Sequence, residues 1–267
     1  MIAALSGKVG YILGGIEKVT DKVLESADEL KAIVFTGTAY KGFIPGWELA
    51  AKKGIAIANA PHANADAVAE WAFTAALAMT RNLFALGRTG DKTFQTIRGI
   101  SEQQVGIVGF GHVGSRLADL FSGAGAKKVA YWSKSEKESS YQKMELDELL
   151  KSSDIICFCV SGEAGTGWLN KEKLSAIKDE ALITCLTDSV VNEEDLLVEL
   201  QNGRLRAFLD WTPEDKAYKD LPLDVFYCSN ESTAYNTFEA TKRASDWATE
   251  SLLNLLDTGT DKHKVVE

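Results

Sequence analysis

The stretch VGIVGFGHVGSRLADLF, residues 105–121, decides the fold. Its first four residues are small or β-branched and read as a strand. Three glycines follow, Gly109, Gly111 and Gly114, spaced G-x-G-x-x-G, and an amphipathic helical pattern begins at once. In that context Gly109 allows the tight turn. Gly111 lets the backbone approach a pyrophosphate, and Gly114 lets the helix pack close to the sheet. The helix N-terminus offers N–H groups to phosphate oxygens. A ligand-free glycine turn has the same letters, but the strand–turn–helix order selects a dinucleotide site. His112 and Val113 lie inside it. His112 faces the cofactor as a variable motif position rather than a catalyst.

The next strand tests cofactor choice. A carboxylate at its end, about 20 residues after the glycines, suits ribose hydroxyls and repels a 2′-phosphate. Here the strand KKVAYWS (127–133) ends in Ser133 and Lys134. A hydroxyl beside a cation suits that phosphate, so NADP(H) is favoured over NAD(H). In the competing reading Lys134 is merely solvated and Glu136 fills the acidic role.

Outward from this unit, short apolar runs alternate with segments of helix length. The runs lie at 9–15, 31–38, 54–60, 104–110, 127–133, 154–160, 181–186, 206–211 and 225–229. KVLESADELK, LDELLKSS and NEEDLLVELQNG are among the helical segments. Near-continuous apolar strands separated by helices mean an α/β protein with parallel sheets covered on both faces. The Ala-rich segment ADAVAEWAFTAALAMTRNLFAL is apolar around most of its circumference and predicts a helix buried on several sides. A last helix over about 237–257 carries one apolar stripe. Asn236 and Glu239 are spaced as a capping box, and Gly259 suits its stop.

The chain has 267 residues and a formal net charge of −9, which argues against nucleic acid and anionic membranes as partners. Its four cysteines, Cys157, Cys159, Cys185 and Cys228, lie in apolar runs without metal-like spacing, and there are only three histidines. Buried thiols in a reducing cytoplasm are expected, with no metal. No basic region precedes an apolar core at the N-terminus, so no signal peptide is expected. WAFTAALAM (71–79) is too short to span a bilayer.

Several blocks stand in a recognisable order: TGTAY, ANAPHANADAVAEWAF, GIVGFGHVG, AYWSK, LDELLKSSDIICFCV, LITCLTDSVVNEEDLLVELQNGRLRAFLDW and STAYNTFEA. Together they resemble the D-2-hydroxyacid dehydrogenase family over nearly the whole chain. The resemblance implies a Rossmann doubly wound parallel sheet inserted into a smaller flavodoxin-like domain, with the active site in the cleft, and homodimers. Residues 1–67 plus 240–267 then form the small lid domain, shortened at its N-terminus against the family pattern. Residues 68–239 form the dinucleotide-binding domain. Val160, closing the DIICFCV run, joins the cofactor-binding residues. Asp210 matches an aspartate expected to contact the nicotinamide amide.

The family's catalytic Arg, Glu and His do not recur. Aligning the blocks puts Thr187 at the Arg with Asp188 beside it, Asp215 near the Glu, and Ser232 at the His with Glu231 before it. Arginine binds a keto acid's carboxylate and carbonyl with charge-assisted hydrogen bonds, and a protonated His donates to the carbonyl oxygen. Thr187 can offer only neutral bonds. Ser232 is a poor acid without a relay, for which Asp215, Glu231 and Tyr235 are available. In the plainer reading Thr187 and Ser232 are ordinary polar residues, and Asp188 and Glu231 are solvated. Lys41, in the GTAYKG loop, could replace the lost cation, but a surface lysine is the better reading. His62 lies in a loop of the first domain. Two functions follow. One is a reductase of a small carbonyl or C=N substrate other than a simple 2-keto acid. The other is an inactive dinucleotide-binding pseudoenzyme that senses redox state or scaffolds a partner.

Overall fold

The computed structural model describes residues 2–89, 96–160, 165–231 and 233–266, with Thr89 by its backbone alone. In chain order the elements begin with α1 (Ile2–Leu5), β1 (Gly10–Leu13), α2 (Asp21–Glu25), β2 (Ala32–Phe35), α3 (Tyr40–Phe43), α4 (Trp47–Lys52) and β3 (Ala56–Asn59). Next come α5 (Ala65–Thr80), α6 (Leu83–Thr89), β4 (Gln104–Val108), α7 (His112–Gly123), β5 (Lys128–Trp132) and β6 (Gln142–Lys143). The chain continues through α8 (Leu146–Ser152), β7 (Ile155–Phe158), α9 (Lys171–Ala176), β8 (Leu182–Cys185), α10 (Glu193–Gln201), β9 (Arg206–Leu209) and β10 (Phe226–Cys228). It closes with α11 (Phe238–Thr258) and β11 (Lys264–Val266).

Two compact units result, Met1–Asn64 with Asn236–Glu267, and Ala65–Tyr235. The sequence puts these boundaries slightly later, at 67/68 and 239/240. Two helices explain the offset. α5 packs on α7 and β8, and α11 packs on β1, β2 and β3.

In the larger unit seven parallel strands stand in the order β10-β9-β8-β7-β4-β5-β6. β7 and β8 are buried at every position, as expected of strands covered on both faces. Leu149, Leu174, Leu196 and Ile183 fill one face. Ala72, Met79, Leu117 and Phe121 fill the other. After β4 the chain moves to β5 on one side, and later returns to β7 on the other. The strand order therefore reverses beside β4, where ligands bind in such sheets. Side chains start the helices here: Asn170 accepts from Lys173 N at 3.3 Å, and Asn192 from Asp195 N at 3.0 Å.

In the smaller unit β1, β2 and β3 run parallel, and β11 pairs antiparallel with β3. α11 covers one face through Ala248 and Leu255, which meet Ala32, Val34 and Ala58. The other face holds Leu13, Leu24, Ile33, Ile44 and Ile57. Thr237, rather than Asn236, caps α11. Its extended backbone lets its hydroxyl accept from Ala240 N at 3.2 Å. Gly259, at φ 74, closes the helix. The segment read as one helix from Lys22 stops at Glu25, where Ser26 Oγ turns back onto Val23 O at 2.8 Å. β6 and β11 carry too few residues for an alternating pattern and have no counterpart among the sequence runs. No helix among the described residues is long and apolar enough to cross a membrane.

Candidate active site

β4 lies between β7 and β5, and the chain leaves it at Gly109 with φ 97, a conformation that strains residues bearing a Cβ. A Cβ there would also sit 2.9 Å from the backbone of Cys159 and Val160. At Gly114 a Cβ would lie 2.1 Å from the Gly109 carbonyl, so the helix packs on its own loop only through glycine. Gly111 differs. A Cβ there meets nothing within 4 Å, and its backbone is extended. Gly111 is the N-cap of α7, and among the described residues no side-chain cap hydrogen bond is made there. The first turn of α7 therefore begins beside open space that a side chain at 111 would enter. That space, the glycine cradle, fits a pyrophosphate. Phe110, between the first two glycines, is buried and stacks on Tyr131 with centroids 3.8 Å apart, which pins the loop to β5.

Ser133 is half-buried and Lys134 exposed where the chain leaves β5. Glu136, the carboxylate that could compete for ribose hydroxyls, is paired with Lys143 on β6. Hydrogen bonding to Glu136 holds the Lys143 ammonium above its ordinary range. Trp132 at the strand end stacks on Trp168 at 6.0 Å, and the Lys173 ammonium lies 5.0 Å from the Trp168 ring centre.

Thr187 follows β8. Its hydroxyl donates to the carbonyl of Val160 at 3.3 Å, tying the ends of β8 and β7 together. Its own carbonyl accepts from Cys185 Sγ at 3.6 Å. Burial pushes the Cys185 thiol up to about 12, so it stays a neutral donor. Asp188 is exposed and accepts from Ser189 N at 2.6 Å. Asp215 is exposed and caps the 3-10 turn Lys216–Asp220 by accepting from Ala217 N at 2.8 Å. No hydrogen bond joins Thr187 to Asp215 among the described residues. Ser232 lies outside the described residues. Glu231 and Tyr235 are exposed.

Asp210 follows β9 and is only 2% exposed. Its Oδ1 accepts from Trp71 Nε1 and Ser229 Oγ, both at 2.8 Å, and its Oδ2 from Ala234 N at 3.3 Å. A carboxylate buried so deeply needs such donors. Trp71, Ser229, Lys143 and Phe110 escape sequence reasoning. Trp71 sits in an apolar run and carries no polar signal there. In the smaller unit Lys41 Nζ lies 4.7 Å from the Trp47 ring centre. His62, at φ 65, donates its amide to Thr38 Oγ1 at 3.2 Å, and Asn59 Nδ2 donates to Thr38 O at 2.8 Å.

Residues 73–233 match the family model for the D-isomer specific 2-hydroxyacid dehydrogenase, NAD binding domain. A glyoxylate reductase of Thermococcus litoralis is 30% identical over 250 residues, covering 86% of this chain and 74% of the relative. Among solved structures, D-2-hydroxyisocaproate dehydrogenase superposes with a TM-score of 0.90 at 22% identity, over 100% of this chain and 88% of that one. An acyclic imino acid reductase in complex with NADPH and D-Arg superposes with a TM-score of 0.83 at 20% identity, over 99% and 88%. With the glycine cradle at the reversal of strand order and a family match over most of the larger unit, the chain belongs to the D-2-hydroxyacid dehydrogenase family and carries its NAD-binding domain.

Proposed function

We propose that this protein is an NADP(H)-dependent oxidoreductase that reduces a carbonyl or C=N substrate other than a simple 2-keto acid. One observation carries the cofactor choice. The strand end beside the glycine cradle has a hydroxyl and an ammonium, Ser133 and Lys134, while the nearby Glu136 carboxylate is neutralised by Lys143. These groups suit a 2′-phosphate. Bound NADPH supplies the hydride. The backbone N–H groups of His112, Val113 and Gly114 hold the pyrophosphate. Thr187 keeps the Val160 segment in place, and Asp210 would hold the nicotinamide amide.

The substrate class follows from Thr187. Its hydroxyl proton is already given to Val160 O, so toward substrate it offers lone pairs, and the exposed Asp188 beside it repels a carboxylate. A neutral carbonyl or a cationic iminium suits that surrounding better. Hydride transfer to an iminium needs no simultaneous proton donor, which suits a serine at position 232. The scaffold is shared with a reductase of imino acids, a likeness of fold alone. A homodimer belongs to the same proposal, supported by the exposed Leu83 on α6. So does a cytoplasmic site, supported by four cysteines without a disulfide. The test is titration with NADPH and NADH, followed by a turnover screen of aldehydes, ketones and imines against 2-keto acids. No binding of either nucleotide would overturn the reading.

A further inference from the structure

Among the described residues Asp210 accepts from the indole of Trp71 on α5, and from Ser229 and Ala234 on the segment leaving β10. In sequence those last two bracket position 232. The indole is held by a ladder of rings. It packs edge-on to Phe208 at 6.4 Å, Phe208 stacks with Tyr227 at 6.5 Å, and Tyr227 stacks on Phe84 at 3.8 Å. The ladder joins α5, β9, β10 and α6, so the N–H reaches Asp210 preorganised. Thr212 Oγ1 adds a second hold, 3.1 Å from Ser229 O and 3.2 Å from Asn230 O. Trp71 itself remains 38% exposed.

We propose that Trp71 is a positioning residue of the nicotinamide end of the site. Its N–H fixes the Asp210 carboxylate, and the carboxylate fixes Ser229 and Ala234. The inference deepens the function proposed above and rests on that reading for its meaning in catalysis. Its physical content is independent: α5 sets the order of the segment after β10 through one hydrogen bond.

The test is amide hydrogen exchange of residues 229–231 and 233–235 in the full chain, without nucleotide and saturated with NADPH. Trp71→Phe keeps a ring in the ladder and removes only the donor. Exchange in both segments should rise at least about tenfold without nucleotide, and protection by NADPH there should shrink, while residues 109–114 stay protected. In an Asp210→Asn background Trp71→Phe should add no more than a small increment, because the bond acts through the carboxylate. Equal exchange in wild type and Trp71→Phe overturns the inference. So does a full additive effect in the Asp210→Asn background, which would assign the ring a packing role alone. Should Asp210→Asn not fold, Ser229→Ala removes a second donor to the same oxygen. It should quicken the same segments, and its failure to do so also overturns the inference. A wild type in which NADPH protects nothing, residues 109–114 included, counts against the proposed function only, because the comparison without nucleotide still reads Trp71.

Discussion

The ammonium of Lys143 pairs with the carboxylate of Glu136, four residues beyond the end of β5. On the proposed reading the pair bears on which cofactor the strand end favours. An unpaired Glu136 would be available to ribose hydroxyls and would repel a 2′-phosphate. NADPH should therefore bind tighter than NADH by about 1–3 kcal/mol, the scale of charge-assisted bonds. Lys134→Ala should narrow the gap by weakening NADPH. Lys143→Ala should narrow it from both sides, since it frees Glu136. Tryptophan fluorescence titration measures both, and equal wild-type affinities would remove the NADP assignment.

The three glycines predict different failures. Gly111→Asp meets open space and an allowed backbone, so the protein should fold with an unchanged melting temperature. Its carboxylate would occupy the cradle, and NADPH affinity should fall by about 100-fold or more, some 3 kcal/mol of charge repulsion. Gly109→Ala is the reverse case. Its φ of 97 and its contact with the Cys159 backbone should cost stability, roughly 1–3 kcal/mol, before binding is considered. A Gly111→Asp protein that still binds NADPH would show that the nucleotide lies elsewhere.

These glycines also show what a sequence displays. The cradle is local. Every residue that shapes it lies within one strand–turn–helix, so spacing alone carries it, and the strand runs follow from the same short-range pattern. The Trp71–Asp210 bond joins residues 139 positions apart, and nothing in either segment announces it. Lys143 is hidden for another reason. It lies on a two-residue strand, too short for any periodic signal. Thr187 stands between the two cases. Its place in the chain is legible as an absent arginine, while the bond to Val160 that occupies its hydroxyl appears only when β7 and β8 lie side by side.

Alkaline pH should unfold the larger unit through its buried thiols. Burial pushes Cys157 and Cys185 up to about 12 from 9.0, and it also raises Tyr218. The folded state keeps protons that the unfolded chain releases, so this stability is fully present below pH 9 and is lost as pH rises toward 12. The change corresponds to about 2 kcal/mol per thiol between pH 9 and 11. Urea unfolding at pH 8 and pH 11 reads the difference. Cys157→Ala should be less stable at pH 8 and should lose less than wild type on going to pH 11. Identical losses in the two proteins would show that the Cys157 thiol takes no part.

The last expectation concerns substrate and follows from three positions together. Loss of a histidine alone would slow proton transfer and leave keto-acid binding intact. Loss of an arginine alone would weaken binding and leave the donor. Here Thr187 spends its proton on Val160, Asp188 adds a negative charge beside it, and Asp215 is engaged as a cap. Glyoxylate, hydroxypyruvate and pyruvate should therefore give no appreciable NADPH oxidation at neutral pH, although the Thermococcus litoralis relative is a glyoxylate reductase. Imines and uncharged carbonyls should be turned over in preference. Thr187→Arg with Asp215→Glu and Ser232→His should raise keto-acid turnover if the backbone still presents those positions to one site. The Asp215→Glu change also gives up the cap on the turn Lys216–Asp220, so Thr187→Arg with Ser232→His is the control that separates cap loss from catalysis. Steady wild-type turnover of any small 2-keto acid would sink the assignment. It would mean that another cation supplies the clamp, and Lys41 could do so only by leaving the Trp47 ring on which it rests.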